Sequence, residues 1–156
     1  VQGGNLFHSF LEFNVDAGQR VYFANPAGVE AIFSRVTGGN PSNIFGTLGV
    51  DGAADLFLMN PNGLVFGPGA RLDVQGAFTA TTASAIQFGE QGSFGAADAN
   101  PLPMLTVDPS ALWFNQLSQG SIVSQGILVV EAGQSLVLAG GEIVLDNSFL
   151  FGDGFT

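Results

Sequence analysis

The sequence predicts an all-β fold of the parallel β-helix type, a solenoid with some strands set outside the coil. Three observations predict it. Short apolar runs rich in Val, Ile, Leu and Phe are closed again and again by Gly or Asn-Pro. Several of those runs, such as Leu56-Phe57-Leu58-Met59, are apolar on both faces, which suits a strand covered on both sides. A strand–turn pattern also occurs twice. Arg20 to Val29 and Asp55 to Leu64 both read as apolar strand, Asn-Pro-x-Gly, apolar residue, offset by 35 residues (60 − 25). A repeated unit that cannot bury its own face points to a stack.

In chain order, strands are expected near Phe10–Val15, Arg20–Ala24, Ala31–Val36, Ile44–Leu48, Asp55–Met59, Val65–Phe66, Arg71–Val74 and Ala77–Ala80. Ala77 to Ile86 is Ala-rich, but its three Thr argue against a helix. An excursion from the stack is expected near residues 86–115. It opens with a hairpin, Ala85–Gly89 and Ser93–Ala96, whose tip is Glu90-Gln91-Gly92. Asp98 to Pro109 carries Pro101, Pro103 and Pro109 and reads as a loop with at most a short strand at Leu105–Val107. Leu112–Asn115 follows. Ile122–Val123, Ile127–Glu131, Ser135–Ala139 and Glu142–Leu145 then return to the stack. The last three, with Gly corners, fit one coil of a β-helix and nearly as well a β-meander.

Composition excludes several functions. The chain is 46% hydrophobic and only 10% charged, against roughly 25% charged in an average globular protein. Disorder is therefore not expected. The 23 Gly among 156 residues have no collagen period and mark tight turns. The net charge is −10, from 13 acids against Arg20, Arg35 and Arg71, with no Lys. Nucleic acid is not expected as a partner, because phosphate neutralisation needs clustered cations. Anionic membrane surfaces are disfavoured for the same reason. There is no Cys, so a disulfide scaffold and a Cys₄ zinc site are excluded. Absence of Cys suits a chain that crosses a narrow pore unfolded. The longest apolar run, Ile127 to Val130, is far short of the ~18 residues of a membrane helix, so an integral membrane protein is not expected. Val1-Gln2-Gly3-Gly4 has no signal-peptide character.

Four of the seven Pro follow Asn, at Asn25-Pro26, Asn40-Pro41, Asn60-Pro61 and Asn100-Pro101. An Asn side chain accepts a hydrogen bond from the backbone two residues on, Pro fixes φ, and Gly supplies a positive φ at the exit. Asn60-Pro61-Asn62-Gly63 carries the whole device and is the candidate site; Asn25-Pro26 is a possible related turn.

Signals for catalysis, cofactors or metals do not accumulate. His8 is the sole histidine and has no partner motif, so it reads as a packed structural residue. Gly67 to Asp73 only faintly matches a calcium-binding nonapeptide, once and with its Asp misplaced. Glycan-active β-helix enzymes use carboxylate clusters, often with Lys or Arg. Such an enzyme stays as a lesser alternative because carboxylates can assemble from distant coils. No catalytic, cofactor-binding or metal residues are assigned. A second alternative is an adhesive surface module that contacts host or matrix ligands through the Phe88–Phe94 hairpin or the Pro loop.

Taken in order, Asn5-Leu6-Phe7-His8-Ser9-Phe10, Phe33-Ser34-Arg35-Val36-Thr37-Gly38-Gly39 and Leu58 to Pro68 resemble the two-partner secretion (TPS) domain of filamentous-haemagglutinin-like exoproteins, in its cyanobacterial form. Ala80 to Ser84 and Leu138 to Gly141 also fit, so the resemblance runs over nearly the whole chain. It implies a right-handed parallel β-helix with extra-helical strands, spanning residues 1–156 as a single domain, and no enzymatic activity. It also implies a role: a secretion-recognition module that targets a large exoprotein to its TpsB-type outer-membrane β-barrel transporter through periplasmic POTRA domains. The location implied is secreted or cell-surface, reached through the periplasm and outer membrane. By the same resemblance, Asn60 to Gly63 matches the family's Asn-Pro-Asn motif, which is linked to secretion competence. The family has further strands before Asn-Leu-Phe-His, so the chain is expected to be a trimmed piece of the domain.

Overall fold

A strand such as Leu56-Phe57-Leu58-Met59 must be covered on both faces, and the computed structural model shows what covers each. The structure describes residues 4–90, 92–96, 109, 111–113, 120–151 and 154–155. Parallel strands wind there into a β-solenoid of about five turns, with no helix among the described residues.

The first coil holds β1 (Asn5–Phe10) and β2 (Arg20–Ala24). The second holds β3 (Ala31–Val36), β4 (Ser42–Ile44) and β5 (Thr47–Asp51), and the third β6 (Asp55–Met59), β7 (Leu64–Phe66) and β8 (Arg71–Asp73). The fourth starts with β9 (Phe78–Thr81) and is interrupted by β10 (Ala85–Gln87), β11 (Ser93–Gly95) and β12 (Ala111–Trp113). It resumes with β13 (Ser121–Ser124) and β14 (Ile127–Val129). The fifth holds β15 (Ser135–Ala139), β16 (Glu142–Leu145) and β17 (Phe149–Phe151), and β18 (Gly154–Phe155) follows. Sheet A stacks β1-β3-β6-β9-β15-β18, sheet B β4-β7-β13-β16, and sheet C β2-β5-β8-β14-β17. All pairings within these three sheets are parallel. The C-terminal three-strand reading is thus settled as coil, not meander.

Register places like residues in columns. Leu6, Ile32, Leu56, Phe78 and Leu136 stack along the inside of sheet A, and they pack with Leu48, Leu64, Phe66 and Leu128 from the other two sheets. The alternate residues point outward. Phe7, Phe33 and Phe57 form an external ladder with ring centroids 5.3 and 4.5 Å apart. This ladder is not left in water. Antiparallel sheet D, ordered β11-β10-β12, covers it, and Ile86, Phe88 and Phe94 close a second apolar cluster with Phe7, Phe33 and Met59. Both faces of β6 are therefore buried, by different partners. Phe88 and Phe94 face the coil, so the hairpin does not present them to a ligand.

Several details differ from expectation. The expected strand at Phe10–Val15 lies earlier, at Asn5–Phe10, and Val15 makes only a single parallel bridge to Ile44. Leu11 and Glu12 are exposed, so the chain turns the corner there. The expected strand at Ile44–Leu48 is two strands on two sheets, with the corner at Phe45 and Gly46. The strands β17 and β18 carry no strand expectation; the Gly, Asp and Asn around them read as turn. Leu105–Val107, most of the Pro loop, and Asn100-Pro101 lie outside the described residues.

The 35-residue echo is not the coil repeat. Ala31 pairs with Asp55 and Leu56 with Phe78, offsets of 24 (55 − 31) and 22 (78 − 56). Asn25 follows a strand of sheet C and Asn60 a strand of sheet A, so the two turns occupy different corners. Every corner asks for similar turn residues, which is why the sequences look alike.

The inner column has a measurable weight. Leu56 is fully buried at its centre, and Leu56→Ala should lower unfolding stability by about 3 kcal/mol, seen as an earlier urea midpoint with unchanged slope.

Candidate functional site

The corner from sheet A to sheet B in the third coil is built by Asn60-Pro61-Asn62-Gly63. The Gly63 N–H donates to the Asn60 carbonyl at 3.1 Å, which closes a four-residue turn. Inside it the Asn62 N–H donates to Asn60 Oδ1 at 3.0 Å, the two-residue bond that an Asn in this position is suited to make. Gly63 exits with φ +128°, a conformation that L side chains resist.

The corner reaches well beyond itself. Asn60 is 0% exposed. Its amide donates to the Asn40 carbonyl and to Ser42 Oγ, each at 3.0 Å, in the coil before. Asn60 Oδ1 also accepts from Asn62 Nδ2 at 3.1 Å, and the same Nδ2 donates to the Gly38 carbonyl at 2.7 Å. The Ser42 N–H donates to the Gly63 carbonyl, and the Asn60 N–H to the Thr81 carbonyl, each at 3.0 Å. On the other side, the chain returning from sheet D lands on this turn, where the Gly120 N–H donates to the Pro61 carbonyl at 3.0 Å. A methyl group on Gly120 would lie 2.6 Å from the Asn62 carbonyl carbon, so only glycine fits the landing. Four coils thus meet here, since the Gly141 N–H in turn donates to the Gly120 carbonyl.

Asn25-Pro26 works differently. Its turn is closed one residue later, by the Val29 N–H on the Pro26 carbonyl at 3.1 Å, with Gly28 at φ +87°. The Asn25 amide donates to the Val29 carbonyl at 3.0 Å, and its oxygen accepts from the Ala54 N–H of the next coil at 2.8 Å. The structure does not bring Asn25 and Asn60 together.

Three participants were not singled out by the sequence. Ser42 and Gly120 become part of the corner only through coil register, although Asn40-Pro41 marked the neighbourhood. Arg35 is 2% exposed on the outer face of sheet A. Its Nε donates to Ser9 Oγ and its Nη1 to the Gly95 carbonyl, both at 3.0 Å, and its guanidinium carbon lies 4.7 Å from the centre of the Phe94 ring. No sequence signal ties position 35 to position 95.

His8 points into the first coil, with ring centroids 5.4 Å from Phe23 and 6.0 Å from Phe10. Its register partner is Ser34. His8 Nε2 and Ser34 Oγ are both buried without a hydrogen-bond partner among the described residues. Burial pulls the imidazole below its ordinary value of 6.5.

A parallel coil fastened at one corner by buried asparagines, with an antiparallel sheet laid against its outer face, defines a structural module whose Asn60 side chain spends its hydrogen bonds within the coil. The family model for the TPS secretion domain matches residues 1–153, and the chain belongs to that family. It is 29% identical over 136 residues to the Heme/hemopexin-binding protein of Haemophilus influenzae (strain ATCC 51907 / DSM 11121 / KW20 / Rd). The match takes in 85% of this chain and 13% of that relative. The TPS domain indicates secretion recognition in two-partner secretion. TPS exoproteins are secreted through the outer membrane. No helix among the described residues is long and apolar enough to cross a membrane.

Two outcomes are expected from this geometry. Asn60→Ala leaves the partners at Asn40, Ser42 and Asn62 unmatched and should cost about 3 kcal/mol, whereas Asn25→Ala should cost about 1 kcal/mol, both read by chemical denaturation. For His8, the unfolded chain takes up a proton near pH 6.5 that the folded chain resists. Stability contributed by neutral His8 is full above that pH and is lost as pH falls below it. Denaturation midpoints measured from pH 7 down to about 5 should therefore fall, and His8→Leu should flatten that part of the profile.

Proposed function

We propose that this domain is the address of a larger exported polypeptide, read by the periplasmic POTRA domains of its TpsB-type transporter. An extended segment of the chain, not yet wound into coils, adds as a strand to a POTRA sheet edge. Main-chain hydrogen bonds give the affinity and alternate side chains the specificity. Coil formation outside then disfavours return, and its free energy comes from burying the inner columns, with no nucleotide involved.

One observation supports this order of events. Asn60 is 0% exposed and both polar ends of its amide are bonded within the corner. In the folded domain that side chain has nothing left to offer a partner. Asn60 can be read by a transporter only before the corner closes, and after closure it holds the coil in shape.

Export of the intact exoprotein in cells carrying the transporter tests this. Asn60→Ala and Asn62→Ala should each lower export, and Asn60→Ala should lower it more than Leu56→Ala, which loses comparable stability without touching the turn. Normal export of both Asn variants would remove the turn from recognition. Equal defects in Asn60→Ala and Leu56→Ala would assign Asn60 to coil shape alone.

A further inference from the structure

A solenoid is held by contacts between neighbouring coils, so a plain stack frays from its ends. The outer face of sheet A breaks that rule. Phe94, inserted into the fourth coil, lies 5.0 Å from the Phe7 ring in the first. Phe88 lies 5.7 Å from Phe7 and 5.0 Å from Phe33. Phe57 and Met59 of the third coil belong to the same cluster. Residues about eighty positions apart are thereby tied across three coils.

Arg35 sits in the middle of this contact. Its charge persists at any accessible pH. On an uncovered outer face the guanidinium would be hydrated. Under sheet D it is desolvated, and a carbonyl and a ring from β11 take the place of water. A docking of sheet D out of register would bury the cation without those partners, which is costly. One docked arrangement is favoured over its neighbours for that reason.

We infer that sheet D is a strap that locks the first coil, with Arg35 as its positioning latch. Coils one to three stay reversibly open until β10, β11 and β12 are in place. Strap docking then couples the opening of β1 to that of the fourth coil. Resting on the proposed function, this would keep the N-terminal strands extended and readable until the strap arrives. The strap itself is tested without a transporter, so the two ideas fail separately.

The test is hydrogen exchange with mass spectrometry on the full chain, comparing the native sequence with a Phe88→Ala/Phe94→Ala double variant and with Arg35→Gln. Amides of Asn5–Phe10 should exchange about tenfold faster or more in both variants, while Ile127–Val129 and Ser135–Ala139 stay within about twofold. Unchanged exchange in Asn5–Phe10 would overturn the strap. Equal acceleration of Asn5–Phe10 and Ser135–Ala139 would also overturn it, because the effect would then be global. If the double variant does not fold, Phe94→Leu keeps an apolar side chain and removes the ring contacts, and the same two comparisons decide.

Discussion

Parallel strands stacked in register set one preference for the coil: the residue beneath a large apolar side chain is best apolar and about the right size. Sheet A meets that preference twice over. Its inner column runs from Leu6 through Ile32 and Leu56 to Phe78 and Leu136. Its outer column stacks Phe7, Phe33 and Phe57 beneath sheet D. Slipping β1 or β3 by one residue would exchange that strand's two faces and place Ser9 or Arg35 in the interior. The need to avoid that slip is what gives the corners their importance, since a coil holds register only if each turn starts and ends in the same place.

The corners solve this with side-chain oxygens that reach the next coil. Asn25 Oδ1 accepts from the Ala54 N–H, and Asp55 Oδ1 from the Ala77 N–H, each at 2.8 Å. Asn60 does the same work in the other direction, donating back to Asn40 and Ser42. A corner N–H lies outside the strand ladders and would otherwise depend on water. The scarcity of charge belongs to the same logic. Like charges stacked about 5 Å apart in a column would repel, so a stack with short corners has little room for them.

Much of this was legible in the residues. The two-sided apolarity of Leu56 to Met59 predicts a strand covered on both faces, and the Asn-Pro-Asn-Gly pattern predicts the turn that closes on Asn60. The resemblance over the whole chain led to the family that the TPS secretion domain match shows. What failed did so for a physical reason. Corner chemistry repeats at every corner, so the likeness of Asn25 to Asn60 suggested a period that strand register contradicts. Register is a long-range property, and so are the partners of Ser42, Gly120 and Arg35. A position such as Arg35 looks in sequence like an ordinary surface cation, and only the docking of residues some sixty positions later buries it.

Two kinds of contact therefore divide the labour. Coil-on-coil burial needs only neighbours, so it can proceed stepwise as chain becomes available, each coil covering the apolar edge of the last. Stepwise burial alone gives a stack with no point of commitment, because the first coil can always peel away. Contacts from the fourth-coil insertion to Phe7 and Arg35 supply that point, since they form only when both ends of a long segment are present. Asn60 sits where the two systems join. The chain leaving sheet D lands at Gly120 on the Pro61 carbonyl, so a well-formed corner is the platform on which the interrupted fourth coil resumes. A damaged corner would thus disturb coil closure and the return from the strap together, which gives this short turn a reach that its four residues alone would not have.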